Sequence, residues 1–301
     1  MKFFLLPFLS IFTFSVCAQE IIVSSGKIVR HPSFKSSFVD DRHIDVWLPD
    51  GYNSAKSYAV VYMHDGQMLF DAQNTLNKQE WGIDEVMASL ISNRRIRDCI
   101  VVGIWNNGKK RHAEYFPQRA WKKLTKAQQT ELLEMEDIYI NPNAFEQGML
   151  ADRYLRFIVR ELKPFIDKTY STKSNKANTF IMGSSMGGLI SCYAVCEYPG
   201  IFEGAICMST HWPAVNGITI NYLSDNIPES KSHRFYFDYG TAALDSLYQP
   251  YQLKVDKLFL SNGYQLDQNY ISRKFKGADH SENAWRKRVN IPLEFMLKQQ
   301  E

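Results

Sequence analysis

Gly183-Ser184-Ser185-Met186-Gly187 is the stretch of this sequence that decides its fold. A short apolar run, 179–182, precedes it, and an apolar stretch of helical length, 188–196, follows it. The pattern G-x-S-x-G between a strand and a helix is typical of a sharp turn that lifts a serine hydroxyl out of a sheet. Ser185 has a glycine two positions before and two positions after it, whereas Ser184 is preceded at that distance by a methionine. Ser185 is therefore the candidate nucleophile.

Short apolar strands alternate with helical patterns along most of the chain. Strands are predicted at 42–48, 58–63, 99–104, 179–182, 205–208, 234–238 and 268–275, and helices at 81–92, 149–170, 188–196, 248–262 and 281–298. This alternation predicts an α/β class, specifically an α/β-hydrolase fold with a mainly parallel central sheet and helices on both faces. In such a sheet the site lies beyond the carboxyl ends of the strands. Pro164 and Pro292 lie inside the predicted helices, and a kink or break is expected at Pro164.

The length of 301 residues suits one large catalytic domain, residues 19–301, although two smaller domains are possible. The segment 105–148 is long and rich in charged and aromatic residues, so we expect an insertion that forms a partial lid or a substrate wall. Within it, 121–136 has a helical pattern. No internal repeat or low-complexity tract interrupts the domain.

Residues 1–18 have the pattern of a secretory signal peptide. Lys2 provides a positive start, residues 3–16 are almost all apolar, and small residues precede a plausible cleavage site ahead of Gln19. A membrane anchor is the alternative, but the apolar run is short for a span of ~20 residues. We therefore expect an exported protein, periplasmic or secreted, with no stable membrane span after the signal is cleaved.

The charge and the cysteines limit the partners and cofactors. A formal net charge of +3 is too small to indicate binding to nucleic acid or to an anionic membrane. Cys99, Cys192, Cys196 and Cys207 remain after cleavage, and an even count in an exported protein raises the possibility of disulfides. Their apolar settings favour free, buried thiols instead. No clustered His, Cys and Asp spacing indicates a metal, and no cofactor is expected.

A serine hydroxyl needs a base that removes its proton, and three histidines follow Ser185. The chain order of this fold class is nucleophile, acid, histidine. His211 comes before any acid-bearing loop, and His233 enters a strand at the wrong end. His280 follows the last predicted strand and precedes the last helix, so it is the candidate general base.

The acid is expected in the loop after the strand that ends near Asp238. Asp245 lies past that strand end, where a carboxylate can turn back towards the histidine, whereas Asp238 still belongs to the strand. We favour Asp245 and keep Asp238 as the alternative. The carboxylate would fix the imidazole tautomer and stabilise the imidazolium.

Two backbone N–H groups are needed for the oxyanion that forms during acyl transfer. One belongs to Met186, the residue after the nucleophile, and the other to Gln67, in the loop after the strand 58–63. His64 and Asp65 lie in the same loop, and we expect them to shape it rather than to act in catalysis.

Several motifs together resemble the esterase D family, which includes enterochelin-esterase-like proteins and the feruloyl and acetyl xylan esterases of carbohydrate esterase family 1. The motifs are His64-Asp65-Gly66-Gln67 with Leu69-Phe70-Asp71, Trp81-Gly82, Val102-Gly103-Ile104, Gly183-Ser184-Ser185-Met186-Gly187-Gly188, Tyr239-Gly240-Thr241, and Asp279-His280 with Trp285. The resemblance runs from about residue 42 to 297. It implies ester hydrolysis with Ser185, His280 and Asp245 as the triad, and with Gln67 and Met186 as N–H donors, but it does not specify the substrate.

One segment departs from the family pattern. Enterochelin-type members carry Ser-Pro-Ser and paired tryptophans after the strand that follows the elbow, whereas this chain has Ser209-Thr210-His211-Trp212-Pro213. The difference weakens a siderophore interpretation. Trp212 is a candidate stacking wall for a sugar or an aromatic ring, or else a packing residue, and Trp105 and Tyr115 are similar candidates for substrate binding.

The sequence thus predicts an exported serine esterase that hydrolyses a carboxylic ester through an acyl-enzyme. The expected substrates are simple acyl esters or acetyl and feruloyl esters of carbohydrates. A siderophore trilactone esterase and an acyltransferase are the alternatives, followed by a non-catalytic glycan-binding relative.

Overall fold

The computed structural model describes residues 21–134, 145 and 148–299. The predicted signal peptide and part of the predicted insertion lie outside the described residues. Among the helices of the described part, none is both long enough and apolar enough to cross a membrane.

One mainly parallel sheet forms the centre of the molecule. Within the described residues it has eight strands in the order β1-β2-β4-β3-β5-β6-β7-β8. The strands are β1 Lys27–Phe34, β2 Arg42–Leu48, β3 Ala59–His64, β4 Cys99–Ile104, β5 Thr179–Ser184, β6 Gly204–Met208, β7 Arg234–Gly240 and β8 Tyr270–Phe275. The pairs β1–β2 and β2–β4 are antiparallel, and all other neighbours are parallel. The carboxyl ends of β3 to β8 therefore meet at one edge.

Helices cover both faces of this sheet. They are α1 Ile83–Ser92, α2 Arg111–Tyr115, α3 Gln118–Lys122, α4 Lys126–Glu134, α5 Ala151–Phe157, α6 Lys163–Thr169, α7 Met186–Glu197, α8 Ile218–Asn226, α9 Gln249–Ser261, α10 Glu282–Arg286 and α11 Asn290–Leu297. Alternate side chains of β3 enter different cores: Val60 and Tyr62 pack with α5 and α7, whereas Val61 and Met63 pack with α1 and α11. The predicted fold class is confirmed.

Three predicted helices differ in detail from the structure: the one at 121–136 is divided between α3 and α4, and the other two contain a proline. The expected helix at 149–170 contains a wide π-helical turn, Ile158–Leu162, between α5 and α6, and Pro164 lies in the first turn of α6. The expected helix at 281–298 is divided into α10 and α11, with Pro292 in the first turn of α11. Proline lacks an N–H and clashes with the preceding turn. The first helix accommodates Pro164 by widening into the π-helical turn without a break, whereas the second helix ends after Arg286 and begins again before Pro292.

Candidate active site

Ser185 occupies a strained turn between β5 and α7. Its φ of 56° and ψ of −123° are rare for a residue with a side chain. Its N–H donates to the carbonyl of Met208 at 3.0 Å, and its own carbonyl accepts from Gly188 and Leu189. A Cβ on Gly183 would lie 2.7 Å from the carbonyl carbon of Gly187, so this turn closes only around glycine. The predicted strand–turn–helix is present.

His280 and Asp245 meet at the carboxyl edge of the sheet. His280 Nδ1 lies 2.6 Å from Asp245 Oδ1, and the side chain of Asp245 is fully buried. Asp245 Oδ2 accepts from Ser209 Oγ at 2.5 Å and from the N–H of Gly240 at 2.6 Å. Burial alone would raise the pKa of Asp245, but the contacts with His280 and the two further donors hold it below its ordinary value. The site thus contains a buried, ionised carboxylate that faces an imidazole.

Asp238, the alternative acid, has a different partner. Both of its oxygens accept from Arg288 at 3.1 Å, and Tyr236 OH donates to Oδ2 at 2.9 Å. Burial raises the pKa of Asp238, against the effect of Arg288. The structure brings Asp245, and not Asp238, to His280.

The other two histidines after Ser185 occupy different positions. His211 is buried, and its Nδ1 lies 2.7 Å from Tyr248 OH. Burial lowers the pKa of His211 to about 3, so its ring is neutral beside the site. His233 lies at the amino end of β7, where its Nε2 is 2.9 Å from the carbonyl oxygen of Pro199.

Two helix starts present backbone N–H groups at the same edge. Met186 begins α7, and Gln67 lies in a short 3₁₀ helix, Gly66–Met68, which follows β3. The first N–H groups of a helix have no partner within the helix and carry partial positive charge. Gly66 is required there, because its Cβ would lie 2.6 Å from the backbone of Gly103. Both predicted donors therefore lie in helical segments whose first N–H groups can bind an anion.

His64 and Asp65 hold the loop that contains Gln67. Asp65 has a left-handed φ of 57° and pairs with Arg111 through both oxygens at 2.7 and 2.8 Å. His64 Nδ1 lies 2.8 Å from Tyr154 OH, and burial lowers the pKa of His64 to about 3. These contacts agree with the prediction that the two residues shape the loop.

The geometry of this edge can be compared with known proteins. The model of the family described as "Putative esterase" matches residues 36–290. The chain belongs to this esterase family. It is accordingly a carboxylic ester hydrolase.

Relatives of the esterase are distant in sequence but similar in fold. The uncharacterized protein YjcH of Bacillus subtilis (strain 168) is 23% identical over 222 residues, which are 73% of this chain and 75% of the relative. A ferulic acid esterase of solved structure is 17% identical, with a TM-score of 0.64 over 90% of this chain and 98% of that one. The enterobactin esterase FES from Shigella flexneri is 14% identical, with a TM-score of 0.64 over 92% of this chain and 60% of that one.

The three predicted stacking residues of the esterase do not form an open aromatic wall. Trp212 is 1% exposed and donates its indole N–H to Gln252, and Tyr115 is fully buried. The prediction of a stacking role is therefore corrected for these two rings, because both have packing contacts and no accessible face. Trp105 is half-buried, and its indole N–H donates to Asp45 at 2.6 Å. A substrate contact stays a prediction for Trp105 alone.

Sequence reasoning missed the polar cluster behind Asp245. Ser209 Oγ contacts Asp245, Trp285 and Arg288, and the guanidinium of Arg288 reaches Asp238. Arg288 carried no motif of its own. The position of Ser209 was the sequence feature that could have indicated this cluster, because this polar residue directly follows a buried strand at the sheet edge where the candidate site lies.

Within the described part of the chain, no group of three His, Cys, Asp or Glu side chains could hold a metal ion. Cys99, Cys192, Cys196 and Cys207 are unpaired thiols, and all but Cys196 are buried. Burial raises the pKa of Cys99 and Cys192 above the ordinary value, so these thiols are neutral packing groups.

Proposed function

We propose that the chain is an exported serine esterase that forms an acyl-enzyme on Ser185, with His280 as general base and Asp245 as the carboxylate that orients it. The observation that carries this proposal is the 2.6 Å contact between His280 Nδ1 and Asp245 Oδ1. It lies at the sheet edge where Ser185 occupies its strained turn, and it is the relation that a catalytic histidine needs.

The proposed reaction follows from the proton positions. An ionised carboxylate can only accept, so His280 donates through Nδ1 and carries a lone pair on Nε2. Nε2 takes the hydroxyl proton of Ser185 as the oxygen attacks the ester carbonyl. The N–H groups of Met186 and Gln67 would receive the negative charge on the carbonyl oxygen. His280 then protonates the leaving alcohol, and a water molecule releases the acid by the same steps.

The direct test is labelling and turnover with one substitution. A fluorophosphonate probe should label the wild-type enzyme at Ser185, and Ser185→Ala should lose both the label and the hydrolysis of p-nitrophenyl acetate. Ser184→Ala is the matched control, because it changes the neighbouring hydroxyl and should keep the label. Turnover by Ser185→Ala at the wild-type rate would contradict the proposal.

The proposed substrates are acyl esters of carbohydrates, including acetyl and feruloyl esters. The similarity to a ferulic acid esterase supports this class, whereas the enterobactin esterase keeps a siderophore trilactone as the second candidate. A panel of acetylated xylan, a feruloylated sugar, a trilactone and simple acyl esters ranks the candidates by kcat/KM. Product analysis with and without an added sugar acceptor distinguishes hydrolysis from acyl transfer.

Export is a separate part of the proposal and rests on the pattern of residues 1–18. Expression of the full chain in a Gram-negative host should give a shortened protein in the periplasm or the medium. Mass spectrometry of that protein should place its first residue near Gln19. An unprocessed chain that stays in the cytoplasm would contradict the proposed export, but it would not contradict the proposed esterase chemistry.

A further inference from the structure

Ser209 contacts Oδ2 of the proposed acid Asp245, whereas His280 contacts Oδ1. Ser209 directly follows β6, has no exposed surface, and has a φ of 41° in the left-handed region. Its backbone N–H donates to Asp238, both to the carbonyl at 2.9 Å and to Oδ1 at 3.1 Å. A residue with a side chain is uncommon at this φ, so the surrounding contacts hold the backbone there.

The hydroxyl of Ser209 has three partners, and their chemistry fixes its direction. Trp285 Nε1 lies 3.0 Å away and Arg288 Nη2 lies 2.9 Å away, and both groups can only donate. They occupy the two lone pairs of the hydroxyl oxygen. The single proton of Ser209 can therefore go only to Asp245 Oδ2, at 2.5 Å.

The same hydroxyl leaves one oxygen of the carboxylate for the imidazole. Oδ2 of Asp245 accepts from Ser209 and from the N–H of Gly240, so Oδ1 is the atom that faces His280. Rotation of the carboxylate would break both contacts at Oδ2 within a buried site, where an unmade hydrogen bond is costly.

We propose that Ser209 is a positioning residue of this esterase: its hydroxyl, oriented by Trp285 and Arg288, locks the Asp245 carboxylate with Oδ1 towards His280. This inference rests on the proposed function, because it assigns Ser209 a role only through Asp245 and His280. Asp238 belongs to the same arrangement, since it anchors Arg288 in a buried ion pair whose side chains are 3% and 0% exposed. The chain of contacts runs from Asp238 through Arg288 and Ser209 to Asp245.

The test is the pH profile of Ser209→Ala against a matched buried serine. Loss of one hydrogen bond to a charged group should lower kcat by about 10- to 100-fold, with KM little changed. The acid limb of kcat/KM should move to higher pH, because the carboxylate then keeps more negative charge for the protonated imidazole. The titratable and charged groups near this pair include His211, Tyr248, Arg288 and Asp238, and Ser209→Ala leaves all four side chains in place.

Ser191→Ala is the control. Ser191 is fully buried, and its hydroxyl donates to the carbonyl of Gly187 at 2.7 Å, whereas the hydrogen-bond partners of Asp245 are Ser209, Gly240 and His280. Ser191→Ala should lower the free energy of unfolding as Ser209→Ala does, but it should keep the wild-type acid limb of kcat/KM. Ser209→Cys is the second variant: its thiol fills the space and donates only weakly, so its kcat and acid limb should lie between those of the wild type and Ser209→Ala.

The outcomes separate this inference from the proposed function. Wild-type kcat and an unmoved acid limb in folded Ser209→Ala or Ser209→Cys would overturn the positioning role, while the Ser185→Ala result stands. An equal shift of the acid limb in Ser191→Ala would overturn it as well. Turnover by Ser185→Ala at the wild-type rate would instead overturn the proposed function.

Discussion

At the scale of single residues, two buried aspartates seven positions apart have opposite pKa shifts. The pKa of Asp245 lies below its ordinary value because His280 and further donors outweigh burial. The pKa of Asp238 lies above it because burial outweighs the pairing with Arg288. The first carboxylate is therefore available to an imidazole, and the second fixes a guanidinium.

Asp245→Asn should separate these two roles. An amide can donate as well as accept, so it can hold His280 in the wrong tautomer, and kcat should fall by about 10³- to 10⁴-fold. Asp238→Asn is the comparison: it should lower the free energy of unfolding by about 3–5 kcal/mol, because Arg288 is left without its counter-charge, and it should lower kcat less than Asp245→Asn, because Asp238 reaches Asp245 only through Arg288 and Ser209. Steady-state kinetics and urea unfolding of both variants check this. The reverse assignment of the two losses would show that Asp238 is the acid.

The G-x-S-x-G spacing identified Ser185 as a candidate, and chain order identified His280, which lies between the last predicted strand and the last predicted helix. The sequence favoured Asp245 but left Asp238 as an alternative, since the end of β7 and the length of the loop after it set which carboxylate turns back towards His280. The contacts of Arg288 and Ser209 could not be predicted, because they join residues 79 positions apart through side chains. Pattern reasoning locates elements, whereas such contacts depend on how the elements pack.

At the scale of elements, periodicity predicted the inner parallel strands β3 to β7 well, because they are buried on both faces and consist mainly of apolar residues. β1 was missed because its residues are only partly buried and it pairs with β2 alone at the edge of the sheet. The π-helical turn before α6 was not predictable either. Proline indicates that a helix must adjust, but packing decides whether it bends, widens or restarts.

Helix α1 contains a buried carboxylate that predicts a stability change with pH. Asp84 is 1% exposed; its Oδ2 accepts from the N–H of Ser24 at 2.7 Å, and its Oδ1 has no partner. Burial, with the nearby Glu85, raises the pKa of Asp84 from 3.8 to about 7. Between these pH values the native state binds more protons than the unfolded chain, so the free energy of unfolding should fall as pH rises to about 7.

Asp84→Asn should therefore stabilise the protein at pH 8 by about 2 kcal/mol and have little effect at pH 4.5. Urea unfolding of both proteins at the two pH values measures the difference. Asp98→Asn replaces an exposed carboxylate and should stay within about 0.5 kcal/mol of the wild type at both. An equal effect of Asp84→Asn at pH 4.5 and pH 8 would contradict the assigned shift.

At the scale of the whole molecule, the parallel sheet assembles the site from segments far apart in the chain. The loop after β3 contributes Gln67, the turn after β5 contributes Ser185, and the segments after β7 and β8 contribute Asp245 and His280. Because all these strands end at one edge of the sheet, the fold class alone predicts that these loops lie close together at that edge. Side-chain packing then decides which atoms touch.

A buried ion pair joins α2, in the predicted insertion, to this sheet, and the loss of either partner should be costly. Arg42 at the start of β2 contacts Glu114 of α2 through two bonds of 2.7 and 2.9 Å, and the two side chains are 2% and 1% exposed. The next residue of α2, Tyr115, packs its ring 5.2 Å from that of His64, beside the Gln67 loop. We therefore expect a less stable α2 to disturb the Gln67 loop at the proposed oxyanion site as well.

Glu114→Gln should lower the free energy of unfolding by about 3–5 kcal/mol, because it leaves the Arg42 charge buried without a counter-charge. Lys123→Gln breaks the exposed pair with Asp225 and should leave the free energy of unfolding close to that of the wild type, because water screens the two charges. Urea unfolding of the two variants side by side gives the comparison. Equal effects of the two substitutions on the free energy of unfolding would mean that the buried pair adds no more than an exposed one, and that apolar contacts hold α2 to the sheet.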